Sequence, residues 1–176
     1  MANFTIILPI FNDWKSLHSL LKKIENILID SIHEFNIILI DDSSFEINEF
    51  KLNQNNFLKK ITQITLKQNV GSQKAIATAL KYIDNNSDQF GDNFIIMDSD
   101  GEDDPKKIID LLDSLKKKED IKIVTFNRSI RKESFLFSFM YEIHLLITFL
   151  MTFTYTRFGN FSFIKKEIIK EITKKE

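Results

Sequence analysis

Short apolar runs alternate with segments of helical periodicity along this chain, and that alternation constrains the fold more than any other feature. β-rich apolar runs cover residues 4–8, 35–40, 61–66, 94–97 and 121–126. Apolar residues at helical spacing follow the first, third and fourth runs, over 13–29, from 71 to about 83 and from 105 to 115. The order β-α-β-β-α-β-α-β predicts the α/β class, a mostly parallel sheet with helices on both faces.

Local signals set the expected boundaries of these elements. Pro9 is expected to end the first strand, and Asp13 to cap the helix that follows. Residues 45–60 are polar and irregular, which favours a loop with one or two helical turns at most. Pro105 suits the first turn of the helix that reaches Leu115.

Length and composition exclude several classes of protein. A chain of 176 residues is expected to form one domain with a sizeable core. The net charge of -1 gives no basic field for nucleic acid, and the absence of cysteine excludes disulfides and thiolate metal sites. No basic stretch precedes the first apolar run, so we expect no cleaved secretory signal and a cytoplasmic location, in solution or peripherally on the membrane face.

Acidic residues follow three of the apolar runs at their carboxyl ends. They are Asp13 after the first run, Asp41 and Asp42 after the second, and the segment 98–104 after the fourth. Ligands of open α/β sheets bind outside the carboxyl ends of the strands, so these groups are expected to share one cleft. Crowded carboxylates repel one another unless a cation or hydrogen-bond donors compensate.

The segment 95–105, which reads IIMDSDGEDDP, carries the strongest of these signals. A strand that feeds Asp98-x-Asp100 directs both carboxylates to one side, which suits Mg²⁺ or Mn²⁺ holding phosphate oxygens as well. The alternative is a solvated acidic loop that caps the next helix. The ligand spacing does not fit an EF-hand.

A second, weaker signal is the segment 67–75, which reads KQNVGSQKA. Gly71 permits a tight entry into the following helix, whose exposed amides suit an anion. The alternative is a plain turn. The segment lacks the Walker pattern, and no Gly-x-Gly-x-x-Gly occurs in the chain.

Four motifs in this order resemble those of the family 2 glycosyltransferases, which have the GT-A (Rossmann-like) fold. They are ILPIFND at 7–13, IDDSS at 40–44, NVG at 69–71 and DSDGEDDP at 98–105. The chain looks most similar to the polyprenyl-phosphate branch, which includes the dolichol-phosphate mannosyltransferases. That branch typically carries Asp-Ala-Asp-Leu-Gln-Asp-Pro-Pro at the last motif.

The resemblance implies an inverting transfer of a sugar from a nucleoside-diphosphate sugar, by default a UDP-sugar, to a polyprenyl phosphate or a glycan. It also implies roles for residues at the matching positions. Pro9, Phe11 and Asp13 would line the nucleotide pocket, Asp41 and Asp42 would contact base and ribose, and Lys67 and Gly71 would flank the nucleotide. Asp98, Asp100 and Glu102 would hold the metal and the diphosphate.

The acceptor side rests on two further segments. Arg128 and Arg131 resemble the arginine-containing loop of the polyprenyl-phosphate enzymes and are expected to grip an acceptor phosphate as catalytic residues, unless they form a solvated basic turn. Asn160 stands where relatives often carry an acid in Gly-Asp-Phe, and an amide cannot act as a general base. The composition of Gly159-Asn160, taken by itself, favours a turn.

Residues 135–153 are nearly continuous in large apolar side chains, with the polar ones gathered on one arc of a helical wheel. We expect an amphipathic helix that rests on a membrane surface, packs against a partner or a second copy of the chain, or closes the core. The predicted organisation is a core over 1–134 and a helical segment over 135–176 in the same domain, ending in a solvated helix over 165–176.

Two other functions are compatible with the sequence. A nucleotidyltransferase also presents acidic strand ends to a metal-bound nucleotide, but it usually has a glycine-rich basic loop after its first strand. A catalytically silent module that binds nucleotide or docks on a membrane is the alternative outside enzymes.

Overall fold

A computed structural model describes residues 2–46, 58–118, 120–127 and 158–174. The strands of this part are β1 (Asn3–Ile10), β2 (Glu34–Asp41), β3 (Leu58–Thr65), β4 (Asn93–Ile96), β5 (Ile123–Asn127) and β6 (Phe158–Lys165). The helices are α1 (Trp14–Leu28), α2 (Ser72–Asn85), α3 (Lys107–Lys117) and α4 (Lys166–Thr173), with a 3-10 turn at Ser87–Gln89.

The strands form one sheet in the order β3-β2-β1-β4-β6-β5. Strands β3, β2, β1 and β4 pair in parallel, whereas β6 runs antiparallel to both β4 and β5. The carboxyl ends of β1, β2 and β4 therefore meet at one edge, and residue 160 near the start of β6 comes to the same edge.

Apolar side chains cover both faces of the sheet. On one face, alternate residues of β1, β2, β4 and β6 pack with α1 and α3, and Leu17, Phe35 and Phe161 are fully buried there. On the other face, Ile7, Ile38 and Phe94 pack with α2 and α4. The predicted α/β class, with a mostly parallel sheet and helices on both faces, is confirmed.

Pro9 lies inside β1 instead of ending it, so this boundary was wrong by two residues. The Met97 amide donates to the Ile7 carbonyl, which shows that the backbone groups of residues 7 and 9 face β4. The pairing of β1 with β4 ends at Ile7 and Ile96, so Pro9 lies beyond the paired residues, where a missing amide hydrogen is tolerated. Its carbonyl instead accepts from the Ser99 hydroxyl at 2.6 Å.

The segments after β2 depart most from expectation. Strand β3 begins at Leu58, within the predicted loop, and α3 begins at Lys107, two residues after Pro105. Gly159 and Asn160 belong to β6 and not to a turn, so the segment 135–176 is not wholly helical. The final helix α4 is anchored by Ile169, which is fully buried, and is not simply solvated.

The amphipathic helix predicted over 135–153, together with Arg128 and Arg131, lies outside the described residues. Among the helices that are described, none has the length and apolar character needed to cross a bilayer.

Candidate functional site

An open cleft of about 420 Å³ lies at the carboxyl edge of the sheet. We call it the acidic cleft; its lining residues are Pro9, Ile10, Phe11, Asp13, Asp42, Ser72, Asp98, Ser99, Asp100 and Asn160. They come from the ends of β1, β2 and β4, the first turn of α2, and β6. The predicted convergence of acidic strand ends on one cleft is thus observed for Asp13, Asp42, Asp98 and Asp100.

The turn after β1 is fixed by contacts with the loop after β2. Asn12 adopts a left-handed conformation with φ of 58°, which asparagine tolerates better than most residues. Its amide donates to the Ser44 hydroxyl and its side-chain oxygen accepts from the Phe45 amide, both at 2.8 Å. This turn presents Phe11 to the cleft, with the Phe11 and Phe45 ring centroids 6.1 Å apart.

Asp13 has two roles. Its carboxylate accepts from the Ser16 amide at 3.1 Å, so it caps α1 as predicted, and it also lines the acidic cleft. A cap needs only one acceptor for the amides of the first turn. The same carboxylate therefore fixes the helix start and adds negative charge to the cleft wall.

Asp41 and Asp42 are both buried but differ in their contacts. Asp42 accepts from the amides of Val70 and Gly71, at 2.8 Å each, and thereby holds the loop that enters α2. Asp41 accepts from the Ser44 amide through Oδ1, whereas its Oδ2 has no hydrogen-bond partner among the described residues. Asp42 lines the cleft, whereas Asp41 is fully buried and is not among the lining residues.

The turn after β4 presents the two carboxylates of the Asp-x-Asp motif. Between them, Ser99 points inward to the Pro9 carbonyl and ties this turn to β1. Asp98 is half-buried and accepts from the Asn160 side-chain amide at 2.7 Å. Asp100 is exposed and accepts from the Glu102 amide at 2.9 Å, while Gly101 supplies the positive φ that the turn requires.

The donor set of this turn fits a hard divalent cation. Asp98 and Asp100 offer carboxylate oxygens to the same cleft. Within the described ranges, no group of three or more histidine or acidic side chains is arranged as a metal site. Mg²⁺ is usually held by one or two carboxylates, with substrate phosphates and water completing its shell, so two carboxylates suffice.

Several residues with predicted roles do not line the acidic cleft. Asp41 is fully buried, Gly71 precedes the lining residue Ser72, and Lys67 and Glu102 are exposed outside the lining. Glu102 contributes its backbone amide to the turn. Their predicted contacts with nucleotide or metal, like those of Arg128 and Arg131, stay predictions.

Sequence reasoning assigned no site role to Ser72, Ser99 and Gln73, and treated Asn160 only as a departure from the family pattern. Gln73 donates to the Asn160 side-chain oxygen at 2.7 Å. One sequence signal could have revealed β6. Phe161 and Phe163 alternate with polar neighbours, a period of two that is typical of a half-buried strand.

Solved structures with the same fold were found. A crystal structure of S. aureus TarS 1-349 has a TM-score of 0.56 and 16% identity, covering 97% of this chain and 49% of that one. The mannosyltransferase PcManGT from Pyrobaculum calidifontis, in complex with GDP-Man and Mn²⁺, has a TM-score of 0.56 and 15% identity, with coverages of 97% and 46%. The chain thus has the GT-A fold and spans about half the length of these structures.

No curated protein matches the chain significantly. The sequence does match the family described as Glycosyl transferase family 2, over residues 5–173. This match covers nearly the whole chain, from within β1 to the end of α4, and includes every residue of the acidic cleft. The chain therefore belongs to glycosyl transferase family 2.

Proposed function

We propose that this chain transfers a sugar from a nucleoside-diphosphate sugar to an acceptor, with inversion at the anomeric carbon and with Mg²⁺ or Mn²⁺. The observation that carries the proposal is the opening of Asp98 and Asp100 onto the same cleft as Phe11 and the first turn of α2. That cleft lies where open α/β sheets bind their ligands.

The donor fits the cleft with its diphosphate beside Asp98, Asp100 and Ser72. The metal would be held by Asp98 and Asp100 and would neutralise the leaving diphosphate. Ser72 is the first residue of α2, and amides at the start of a helix favour an anion. Asp42 acts indirectly, because its two bonds to the loop at 70–71 fix where α2 begins.

The nucleoside is proposed to lie towards Phe11, Asp13 and Pro9. The Phe11 ring is 43% exposed, which leaves it available to pack on a base. Asp41 is proposed to accept a hydrogen bond from the base through Oδ2; because this carboxylate is fully buried, binding would require a local rearrangement that exposes it. Because the similar structures contain UDP-GlcNAc and GDP-Man, both uridine and guanosine nucleotides should be tested, beginning with UDP.

The acceptor is proposed to be a polyprenyl phosphate or a glycan. Arg128 and Arg131 are proposed to bind an acceptor phosphate, and the segment 135–153 to contact the membrane surface or a second copy of the chain. A phosphate acceptor is already anionic near neutral pH and needs little deprotonation, which agrees with the amide at position 160.

The test is a screen of UDP-GlcNAc, UDP-glucose and GDP-mannose for Mn²⁺-dependent release of the nucleoside diphosphate, with and without polyprenyl phosphate or a glycan. We expect Asp98→Asn and Asp100→Asn each to lower kcat on the order of 100-fold, because each removes charge that faces the diphosphate. Asp110→Asn is the matched control, since Asp110 is exposed on α3 and outside the cleft lining.

Full turnover in both cleft variants would overturn the metal assignment. Calorimetry with UDP and Mn²⁺ separates binding from turnover. Binding with no release for any donor would instead favour a catalytically silent nucleotide-binding module.

A further inference from the structure

Three side chains from separate elements form a continuous hydrogen-bonded row in the acidic cleft. Gln73 Nε2, in the first turn of α2, donates to Asn160 Oδ1 on β6 at 2.7 Å. Asn160 Nδ2 in turn donates to Asp98 Oδ1, after β4, at 2.7 Å. We call this row the amide relay.

The chemistry of its last member fixes the direction of the relay. An ionised carboxylate only accepts hydrogen bonds, so Asn160 must turn its NH2 group towards Asp98. The amide oxygen of Asn160 then faces Gln73, which must also present its NH2 group. A change at Gln73 can therefore reverse Asn160 without touching either Asn160 or Asp98.

Both supports of the relay are held by buried structure. Phe161 and Phe163, on the opposite face of β6 from Asn160, are fully buried, and β6 pairs with a strand on each side. The start of α2 is held by the two bonds from Asp42 to the loop at 70–71. Because β6 and the start of α2 are both held in place, the amide relay restrains the orientation of the Asp98 carboxylate in the cleft.

An amide at position 160 supplies a donor without adding charge. Asp13, Asp42, Asp98 and Asp100 already line the cleft. A carboxylate at position 160 would face Asp98 at hydrogen-bond distance as a like charge, whereas the amide attracts it. The neutral side chain therefore orients Asp98 and leaves its negative charge directed at the cleft.

We propose that Asn160 is a positioning residue which, together with Gln73, orients the Asp98 carboxylate for the divalent cation. This inference rests on the proposed function, because it assigns Asp98 to the cation. Groups that orient a metal ligand typically change metal affinity by about 10- to 100-fold when they are removed.

The test measures the affinity of the full chain for Mn²⁺ in the presence of UDP, by electron paramagnetic resonance or calorimetry. Asn160→Ala is expected to weaken Mn²⁺ binding by about 10-fold, because Asp98 loses the hydrogen bond from the Asn160 side-chain amide. Circular dichroism checks that the fold is kept.

Two substitutions of opposite charge at Gln73 distinguish an effect of the amide relay from a direct effect of charge on the cation. Gln73→Lys keeps a donor towards Asn160, and Gln73→Glu removes it and reverses the amide. The relay predicts tighter Mn²⁺ binding in the lysine variant than in the glutamate variant, while a nearby charge alone predicts the opposite order. Gln89→Glu, exposed beyond the other end of α2, controls for the added charge.

Tighter binding by Gln73→Glu than by Gln73→Lys overturns the relay. If Asp98→Asn still abolishes binding in that case, the proposed function stands without the relay. If Asp98→Asn binds Mn²⁺ like the parent chain, the metal role of Asp98 is wrong and both proposals fall.

Discussion

At the scale of single residues, the adjacent aspartates Asp41 and Asp42 make different contacts and have different roles in this protein. Both carboxylate oxygens of Asp42 accept hydrogen bonds from backbone amides of the loop at 70–71, whereas one oxygen of Asp41 has no hydrogen-bond partner among the described residues. Composition and spacing do not distinguish them. The difference arises because the pleat of β2 and the following turn send consecutive side chains in different directions.

Asp42→Ala is expected to destabilise the protein by about 3 kcal/mol, because two backbone donors at the edge of the core lose their acceptor. Urea denaturation measures the loss. Asp113→Ala, an exposed position on α3, is the control and should change stability by no more than about 0.5 kcal/mol. Equal urea midpoints for the two variants would contradict the anchoring role of Asp42.

At the scale of elements, β6 completes both the sheet and the acidic cleft. Phe161 is fully buried on one face, with its ring centroid 4.6 Å from that of Phe126, and Asn160 faces the cleft on the other. The strand thus couples core packing directly to the geometry of the site.

Phe161→Ala is expected to cost about 4 kcal/mol, since it opens a cavity in the core. It should also weaken nucleotide binding, because Asn160 is the preceding residue. Phe45→Ala removes a ring that is 88% exposed and should leave the unfolding free energy nearly unchanged. A Phe161→Ala protein as stable as the Phe45→Ala protein would show that β6 is not part of the cooperative core.

The sequence was sufficient for the elements whose periodicity is strong and local. β1, α1, β2, α2, β4 and α3 were predicted, as was the convergence of Asp98 and Asp100 on one cleft. It was insufficient for β6, where Gly159 and Asn160 favour a turn locally and pairing with β4 and β5 overrides that preference. The contact between Asn160 and Asp98 follows from this pairing and has no local signature.

At the scale of the whole molecule, stability is linked to pH through the amino-terminal edge of the sheet. Burial lowers the pKa of His33 from its ordinary value of 6.5, with a contribution from Lys116. The Ala2 amide donates to His33 Nδ1 at 3.3 Å, so this nitrogen must be unprotonated in the folded state.

We expect the urea midpoint to fall as pH is lowered from about 7.5 to about 5.5. The unfolded chain binds the His33 proton more tightly, so this contribution is present above the unfolded pKa of 6.5 and is lost as the pH falls towards the lower, folded value. His33→Gln should show a shallower dependence over this range. An equally steep dependence in that variant would assign the effect to other groups.

The placement of β6 also has a consequence for biosynthesis. As the chain leaves the ribosome, β4 and β5 emerge well before the strand that must insert between them. Until residue 165 is available, the edge of β4 that carries Phe94 and Ile96 has no pairing partner, and Asp98 lacks the Asn160 amide. A nascent chain can therefore pair β1, β2, β3 and β4 early, while the side of the acidic cleft that contains Asp98 is completed only after β6 has been synthesised.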